Sequence, residues 1–485
     1  MAAVEKRGEN SYRLTVSCGY DKLGKKIMKR KTIDLSHIKP NKQEEEANKQ
    51  WILFKDEIEK GIYLDSGKIT FEDFIDKWLK DYAEHELAPK TLYRYKELLA
   101  SRIIPALGHI KLNKLQPTHL TEFYNNLREN GIRLDKKYAP KDNFRETILN
   151  LNYTPKDILT KSGISEETLR NITHGKTVQI TTVIKICESI NIKPDVLFDP
   201  VDQQKSLSER TVLHHHRLIT SILTSAVQWG FILNNPASRV KAPKVEKKEA
   251  RHYDIDETEY ILQLLENEPL KYKTMVTLAI YGGMREGELT ALTWDDIDMD
   301  NCLIKINKAL QHLPKKGTFI KSTKNETSDR IISVPKSVIN VLREYKLWQN
   351  TEKATLGDLW DKKYNNIFTA HNGEPIFPST ISKWFLKFIR KHNESIMNDN
   401  AITEDDKNNY LLDEINFHGL RHTSASILIN QGIDITTVSK RLGHARPSTT
   451  TDIYSHSLKK ADIEASDKLE NLFNKDKKIK NTVKI

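Results

Sequence analysis

The helical pattern of the chain breaks off after residue 131 and resumes at residue 205. Apolar residues recur at helical spacing in "TFEDFIDKWLKDYAEH", "APKTLYRYKELLASRIIPAL" and "QPTHLTEFYNNLRENG", all within residues 69–131. The same spacing returns in "KSLSERTVLHHHRLITSILTSAVQWGFI", within residues 205–235. We therefore expect two helical halves with a separate insert, residues 133–204, between them.

The insert has a pattern of its own. "DILTKSG" predicts a short helix ended by Gly163, and "ISEETLRNITHGK" predicts a second helix with Ser165 at its N-cap. "TTVIKICESINI" predicts a third helix. Two short helices joined through a glycine turn form a helix-turn-helix, and residues 153–198 resemble the helix-turn-helix domains of Cro-like phage repressors.

The charge of the insert leaves its role open. It has 11 Lys+Arg and 10 Asp+Glu, and its second helix opens with Glu166 and Glu167, which would repel phosphates. Direct binding to DNA and a regulatory or protein-contact role are both compatible with this composition.

The composition of the whole chain favours a polyanionic partner. The 485 residues, 38% hydrophobic and 29% charged, suit three or four domains with modest cores. A net charge of +11 indicates nucleic acid first and an anionic membrane surface second. There is no apolar run long enough to cross a membrane and no apolar signal core at the N-terminus. Three scattered cysteines argue against disulfides and zinc and for a reducing bacterial cytoplasm.

The N-terminal unit, residues 1–65, concentrates much of the basic excess. "SYRLTVSCGY" alternates, with Tyr12, Leu14, Val16 and Cys18 on one face, and "KIMKRKTIDL" predicts a second, basic strand. "NKQEEEANKQWILFKDEIEKG" predicts a helix closed by Gly61. Residues 1–43 hold 11 Lys+Arg against 4 Asp+Glu, so we expect a small sheet that can lie in a DNA groove; a solvated charged surface is the alternative.

The rest of the chain adds a histidine run, a linker and a large last domain. His214, His215 and His216 cannot converge on one metal ion, because neighbouring helical residues point about 100° apart, so we predict a polar helix face. "NNPASRVKAPKVEKKEARHY" predicts an exposed linker. A domain over residues 252–465 follows, and then a basic tail, 466–485, with six Lys against three acids.

Three stretches of the last domain carry reactive residue types. "AIYGGMREGELTALTWDDID" places Arg285 and Glu288 on one helix face, and "STKNETSDRIISVP" is a hairpin-like segment with Lys324 at its turn. "NFHGLRHTSASILINQGIDITTVSKRLGHARPSTTTDIYSH" contains His418, Arg421, His444 and Tyr454. Each alone has an ordinary explanation: a surface ion pair, an exposed turn lysine, or a core tyrosine.

Together these residue types suit phosphodiester chemistry. Arginine forks hold phosphate oxygens and offset the charge of a pentavalent transition state. A tyrosine hydroxyl can attack phosphorus, and a lysine can protonate the leaving oxygen. No carboxylate cluster for Mg²⁺ and no P-loop is visible, which disfavours a two-metal nuclease and an ATPase, and no cofactor is expected.

The order and spacing of Arg285, Lys324, "HGLR" and "GH…Y" resemble the tyrosine recombinase (phage integrase) family, in particular integrases of temperate phages and conjugative transposons. The lysine segment matches that family's K-T-x-x-S-x-R pattern with Asn325 in place of Thr. The resemblance implies that Tyr454 is the nucleophile, that Arg285 and Arg421 clamp the scissile phosphate, and that Lys324 protonates the 5′ oxygen. It further implies proton transfer between His418 and Tyr454, a hydrogen bond from His444 to the phosphate, and support of Arg285 by Glu288.

The resemblance also implies an architecture. Residues 1–65 would be an arm-type DNA-binding domain, 69–131 with 205–245 a split core-binding domain, and 252–465 the catalytic domain. The fold would be multidomain and mainly α: a small three-stranded sheet plus helix, a helical core-binding domain interrupted by the insert, and a mostly helical catalytic domain with a small β-sheet. The expected DNA contacts are Arg13, Lys29, Arg30, Lys31, Lys90 and Arg94.

The implied reaction joins two double-stranded attachment sites in a homotetramer through a Holliday junction, with excisionase and DNA-bending proteins as possible partners and no membrane. Two features depart from the family pattern, the insert and the acidic segment 393–414. Two other functions stay open: a strand-swivelling topoisomerase or resolvase with the same chemistry, and a non-catalytic helix-turn-helix regulator.

Overall fold

A computed structural model describes most of the chain, which forms two compact units, residues 1–246 and 247–485. The described residues are 3–20, 24–59, 69–130, 132, 137–201, 206–246, 251–314, 316–322, 329–444, 466, 469 and 470. Helices predominate over small antiparallel sheets in both units, which confirms the predicted multidomain, mainly α fold class.

The first unit has twelve α-helices and six strands among its described residues. The strands are β1 (Val4–Lys6), β2 (Ser11–Tyr20), β3 (Lys26–Asp34), β4 (Lys137–Pro140), β5 (Val178–Gln179) and β6 (Phe198–Val201). The helices are α1 (Gln43–Glu59), α2 (Phe71–Trp78), α3 (Glu84–Glu86), α4 (Pro89–Leu98), α5 (Ile104–Leu107), α6 (Pro117–Asn126), α7 (Phe144–Asn150), α8 (Pro155–Ser162), α9 (Glu166–Thr173), α10 (Ile180–Ser189), α11 (Pro194–Leu197) and α12 (Glu209–Gln228). Two π-helical turns, Leu79–Ala83 and Leu99–Ile103, join neighbouring helices.

The N-terminal part is an antiparallel sheet in the order β1-β2-β3, covered by α1. Leu14 and Val16 are buried against Phe54 of α1, and the Trp51 indole N–H donates to the Thr15 carbonyl at 2.9 Å. Cys18, expected on the same face, is exposed, because the β2–β3 register shifts after Ser17. The predicted helix end at Gly61 lies outside the described residues.

The helices on the two sides of the insert share one core. Buried side chains of α2, α4, α5 and α6 pack with those of α12, and the Trp78 indole donates to Ser225 at 3.0 Å. Arg128 donates to both carboxylate oxygens of Glu209, at 2.6 and 2.8 Å, across the point where the insert leaves the bundle. The two helical halves therefore pack as one bundle.

The insert folds around a core of its own. Helices α8, α9 and α10 confirm the three predicted helices, with Gly163 in the left-handed conformation (φ 64°) and Ser165 accepting the Thr168 N–H. The sheet β5-β4-β6 was not predicted; it pairs Lys137 with Val201 and so brings the two ends of the insert together.

The histidine run in α12 does not form the predicted polar face. His214 is exposed, but His215 and His216 are buried, with His215 Nδ1 2.8 Å from the Thr211 carbonyl and His216 Nδ1 3.2 Å from the Tyr124 hydroxyl. The prediction was wrong for two of the three because α12 crosses the core of the bundle, so that half of its surface is covered.

The second unit is built around α14 and α19. Its helices are α13 (Ile255–Leu264), α14 (Leu270–Gly282), α15 (Glu286–Ala291), α16 (Lys336–Leu356), α17 (Ser379–Asn398), α18 (Glu404–Tyr410), α19 (Gly419–Asn430) and α20 (Ile435–Leu442). Its strands are β7 (Ile297–Asp298), β8 (Leu303–Ile306), β9 (Lys308–Leu313), β10 (Gly317–Ser322) and β11 (Arg330–Ser333).

The strands of this unit form two sheets, a β9–β10 hairpin and a sheet in the order β11-β8-β7. The turn of the stretch 322–335, which was expected to be hairpin-like, lies outside the described residues. Of the strands beside it, β10 pairs with β9 and β11 pairs with β8. Strand β11 lies beside α20.

No helix in the described ranges is long and apolar enough to span a membrane. Within those same ranges, no group of three or more His, Cys, Asp or Glu side chains is arranged to hold a metal ion. Cys18, Cys187 and Cys302 are all free thiols.

Candidate active site

Arg285 stands where two helices of the second unit meet. Helix α14 ends at Gly283 in the left-handed conformation (φ 58°), and Arg285 is the N-cap of α15. Its guanidinium donates to the Glu288 carboxylate at 2.7 Å and to the Gly443 carbonyl at 3.2 Å, and its backbone N–H donates to Glu288 at 3.0 Å. These bonds fix a side chain that is still 39% exposed and so can reach a ligand.

Glu288 is buried between two arginines. Only 3% of its side chain is exposed, and its second oxygen accepts from Arg330 at 2.8 Å. Burial would raise the pKa of this carboxyl, but the hydrogen bond and charge of Arg330 and the charge of Arg285 outweigh it, so that the pKa lies below the ordinary value. Glu288 is therefore favoured in the ionised form and accepts a hydrogen bond from the Arg285 guanidinium.

His418 and Arg421 lie at the start of α19, where His418 is the N-cap. Arg421 is 2% exposed and donates to the Gly283 carbonyl at 2.7 Å. This bond ties α19 to the end of α14, two residues before Arg285. An added Cβ at Gly283 would lie 2.6 Å from Leu442, so the close packing of α14 and α20 also depends on this glycine.

His444 follows α20, which ends at Gly443 in the left-handed conformation (φ 67°). Burial lowers the pKa of His444 to about 4, helped by the charges of Arg421 and Arg285. Burial lowers the pKa of His418 too, again with contributions from Arg421 and Arg285. Arg285 donates to the Gly443 carbonyl, next to His444, and Arg421, three residues after His418, donates to the Gly283 carbonyl, so the four predicted residues share one site.

A third imidazole, His422, stands next to this group. Its ring meets that of His418 edge to face at a centroid distance of 5.1 Å. Burial lowers its pKa to about 4, with further lowering by His418 and Arg421. All three imidazoles are thus favoured in the neutral form near pH 7, in which each ring can both donate and accept a hydrogen bond.

Two of the six predicted catalytic residues, Lys324 and Tyr454, lie outside the described residues. The described part of the site therefore comprises the two arginines, the two histidines and Glu288. They come from two of the three stretches, residues 279–298 and 416–456, which the fold brings together at the ends of α14, α19 and α20.

Sequence reasoning missed four residues that support this site, namely Gly283, Arg330, Arg441 and Gly443. Arg330 donates to the Arg441 carbonyl at 2.7 Å, and Arg441 donates to the carbonyls of Tyr281 and Ser333 at 2.8 and 3.0 Å. The glycine break and the last Arg of the K-T-x-x-S-x-R pattern were visible signals. The carbonyl groups that accept from Arg330 and Arg441 could not be predicted, because each of these hydrogen bonds joins residues more than a hundred positions apart.

The strand register divides the four expected DNA contacts of the N-terminal sheet. Residues directly opposite each other in an antiparallel pair share a face. Lys31 is opposite Leu14, and Lys29 is opposite Val16, so both belong to the face that α1 covers; the Lys31 ammonium lies 5.8 Å from the Phe54 ring centre. Arg30, opposite Thr15, shares the other face with Arg13.

Lys90 and Arg94, the other expected DNA contacts, are both exposed on α4. They lie one helical turn apart and so share a face. Arg94 also pairs with Glu97 at 3.1 Å, an exposed contact of little energetic weight.

Comparison with known proteins places this part of the chain in a family. The model of the Phage integrase family matches residues 252–461, which include all six predicted catalytic positions, and that of the "Phage integrase, N-terminal SAM-like domain" matches residues 70–128. The chain belongs to the phage integrase family of tyrosine recombinases.

Several relatives of this tyrosine recombinase have curated names. The "Tyrosine recombinase XerC-like" protein of Caldanaerobacter subterraneus is 24% identical, and the match covers 96% of this chain and 98% of the relative. The ICEBs1 integrase of Bacillus subtilis is 26% identical over 56% of this chain and 67% of its own length. The integrase of Staphylococcus phage L54a is 30% identical over 47% of this chain and 62% of its own.

Among solved structures, the Tn1549 transposon integrase in complex with a circular intermediate DNA has the same fold. The match has a TM-score of 0.52 at 16% identity and covers 82% of this chain and 99% of the other. The relatives of this recombinase thus include proteins named as integrases, one of them from a phage.

Proposed function

We propose that this tyrosine recombinase is the integrase of a mobile genetic element, which cuts and rejoins DNA through a covalent phosphotyrosine bond. The observation that carries the proposal is the convergence of Arg285, His418, Arg421 and His444 on one site. The names of the relatives add the substrate, since they describe integrases and, for Tn1549, a complex with DNA.

In the proposed reaction, the Tyr454 hydroxyl attacks the scissile phosphorus. A bond forms between the tyrosine oxygen and phosphorus, and the bond to the 5′ oxygen breaks, which leaves a 3′-phosphotyrosyl link and a free 5′-hydroxyl. His418 takes the proton of Tyr454, and Lys324 gives a proton to the leaving 5′ oxygen. Attack by a second 5′-hydroxyl reverses these steps and joins the new strands.

Arg285 and Arg421 are proposed to hold the non-bridging phosphate oxygens. Both are fixed by backbone carbonyls and Glu288 before any DNA arrives, so little reorganisation is needed when charge develops on the phosphate. His444, neutral in the free protein, would donate an N–H to the same phosphate. The energy of the phosphodiester is kept in the tyrosyl bond, so the rejoining step needs no ATP.

The proposed domain roles follow the sequence boundaries. Residues 1–65 would bind arm-type sites, 69–131 with 205–245 would bind the core site, 252–465 would catalyse the strand exchange, and the tail 466–485 would dock on a neighbouring protomer. Four protomers would assemble on two attachment sites in the bacterial cytoplasm, associated with the nucleoid. Excisionase and DNA-bending proteins would set the direction.

For the insert, residues 133–204, we propose a role in site choice or regulation. Its nearly neutral charge and the acidic start of α9 weaken the case for phosphate contacts, while its independent core suits an added module. Deletion of residues 135–203 should leave DNA cleavage on a core site intact and alter site choice or control. Unchanged activity together with unchanged site choice would count against this role.

Two other functions would use parts of the same machinery. A topoisomerase or resolvase would form the same covalent bond but release supercoils or resolve dimers without joining two different sites. A regulator would bind DNA through the helix-turn-helix without cleaving it, and would have no use for the fixed arginine pair.

A nicked suicide duplex carrying an attachment site tests the proposal. Loss of the short fragment beside the nick traps the cleaved strand, so wild type should give a covalent protein–DNA band on a denaturing gel. Tyr454→Phe should give none, while Tyr410→Phe, an exposed tyrosine of α18, should match wild type. A band that persists in Tyr454→Phe, or no band with wild type, would reject the mechanism.

A further inference from the structure

Arg330 is the most enclosed charged group beside the active site that the proposed reaction does not use. It begins β11, and 7% of its side chain is exposed. Its guanidinium donates to Glu288 at 2.8 Å and to the Arg441 carbonyl at 2.7 Å. Burial of a guanidinium costs free energy of folding unless its N–H groups are hydrogen-bonded. We therefore asked what these hydrogen bonds do for the site.

The partners of Arg330 are the groups that hold the proposed phosphate ligands. Glu288, on one side, accepts a hydrogen bond from Arg285 at 2.7 Å. The Arg441 carbonyl, on the other side, belongs to the last turn of α20, two residues before the Gly443 carbonyl that also accepts from Arg285. Arg330 thus contacts both parts of the structure that hold the Arg285 guanidinium, namely Glu288 and the end of α20.

The Arg330 guanidinium packs closely against Gly443. A Cβ at this position would lie 2.7 Å from Arg330 Nη1, so the guanidinium occupies the space that a side chain would need. The charge of Arg330 also contributes to lowering the pKa of His444, the residue that follows. Arg330 therefore lies against the end of α20 that delivers His444.

We propose that Arg330 is a positioning residue that sets the orientation of Arg285 through Glu288 and fixes the α20 end at Gly443 and His444. It is not a catalytic residue, because its buried guanidinium is already directed at Glu288 and the α20 carbonyl. This inference rests on the proposed role of Arg285 as a phosphate ligand. It assigns a function to the arginine that ends the K-T-x-x-S-x-R pattern, at the start of the strand that follows the Lys324 segment.

A double-mutant cycle on the cleavage rate tests this assignment. Wild type, Arg285→Lys, Arg330→Lys and the double variant are compared in single-turnover cleavage of the suicide duplex at saturating protein. Arg330→Lys should slow cleavage by roughly tenfold or more, since lysine cannot make the two divergent bonds of the guanidinium. In the Arg285→Lys background, the same change should cost less than about twofold, because residues that act through one another are not additive.

A purely structural role would give a different result. If Arg330 only stabilised the fold, its effect would multiply with that of Arg285→Lys and follow the loss of thermal stability. Arg390→Lys is the matched control: Arg390 pairs with Glu414 at 2.7 Å on the exposed surface of the same unit, and this variant should cleave like wild type.

Glu288→Gln provides a second route if Arg330→Lys does not fold. It keeps the shape of the side chain, removes the charge between the two arginines, and should show the same lack of additivity with Arg285→Lys. Multiplicative effects in both cycles, or wild-type cleavage by Arg330→Lys, would overturn the inference. If wild type itself forms no covalent band, the proposed function fails instead.

Discussion

The molecule uses cationic side chains in two contrasting ways. In the N-terminal sheet, Arg13 and Arg30 share the face that α1 leaves uncovered, and Arg30 is exposed to solvent. In the second unit, Arg330 and Arg421 are buried and held by backbone carbonyls. Salt screens the interaction of an exposed charge with another charge, so each exposed cation attracts a phosphate only weakly. A buried cation held in one place interacts more strongly, and with a phosphate at one position.

Under the proposed function, this contrast would separate attraction of DNA by the sheet from chemistry on DNA in the second unit. A mobile, exposed cation can follow any phosphate, which suits binding along the duplex. A cation fixed before binding can favour one phosphate in its transition state over the ground state. Substitutions at the buried site should therefore have large effects that do not depend on salt, and substitutions on the sheet should have small effects that do.

The largest effect is expected from Arg421→Lys. Lysine keeps the charge but cannot hold the Gly283 carbonyl and a phosphate oxygen with one planar fork. Cleavage of the suicide duplex should slow on the order of a hundredfold to a thousandfold, as for loss of one oxyanion donor. DNA affinity, measured by fluorescence anisotropy, should change little; equal losses in binding and in rate would put Arg421 among the binding cations instead.

The next effect concerns pH and His422. Its pKa of about 4 lies below the ordinary value, so as the pH falls below about 6.5 the unfolded state takes up a proton before the folded state does. The folded protein should therefore lose stability between pH 6.5 and 4. In His422→Asn this loss should be smaller by about 2 kcal/mol, after allowance for partial exposure of the ring.

Urea unfolding at pH 7 and pH 4.5, followed by tryptophan fluorescence, measures this difference. His37→Asn, at an exposed position in the N-terminal part, is the control for substitution of a histidine as such. An identical loss of stability in wild type and His422→Asn would contradict the assignment of a neutral imidazole beside the arginines.

Substitution of two glycines, one beside the site and one away from Arg330, distinguishes the effect of backbone strain from that of a changed active-site geometry. Gly443 (φ 67°) and Gly432 (φ 80°) both adopt the left-handed conformation, but an added Cβ meets Arg330 at Gly443 and open space at Gly432. Each Gly→Ala change should cost roughly 1 kcal/mol from the backbone alone. Only Gly443→Ala should also slow cleavage, by about tenfold; equal cleavage by both variants would show that Arg330 can move without consequence.

The smallest effect is expected from single charges of the sheet. Arg30→Ala should weaken binding to a non-specific duplex and reduce the slope of log K against log salt by about 1, because it removes one phosphate contact. Lys31→Ala, on the neighbouring residue but on the α1 face, should change the slope less. If Lys31 matters as much as Arg30, the DNA lies against the helix-covered side of the sheet.

The sequence predicted the helices, the insert and the residue types of the site because these depend on local periodicity and motif spacing. The predictions at Gly163 and Ser165 succeeded for this reason, since a left-handed turn and an N-cap are set by adjacent residues. What failed depends on tertiary packing. His215 and His216 are buried only because α6 and the rest of the bundle cover them.

The hydrogen bonds that support the site could not be predicted from the sequence, because they too depend on tertiary packing. Arg330 meets Glu288 across 42 positions and the Arg441 carbonyl across 111. The assignment of β10 and β11 to different sheets depends on pairing with β9 and β8, which the pattern of either strand leaves open. The faces of Lys29 and Lys31 likewise follow from register, which a one-residue slip would reverse.

The central claim, that this site forms a covalent bond to DNA through Tyr454, is tested most directly by mapping the bond. The trapped complex from the suicide duplex is digested with nuclease and trypsin, and the modified peptide is identified by mass spectrometry. The expected result is a nucleotide adduct on Tyr454, within the peptide that spans residues 442–459. An adduct on any other residue, or full cleavage of the duplex without an adduct, would contradict it.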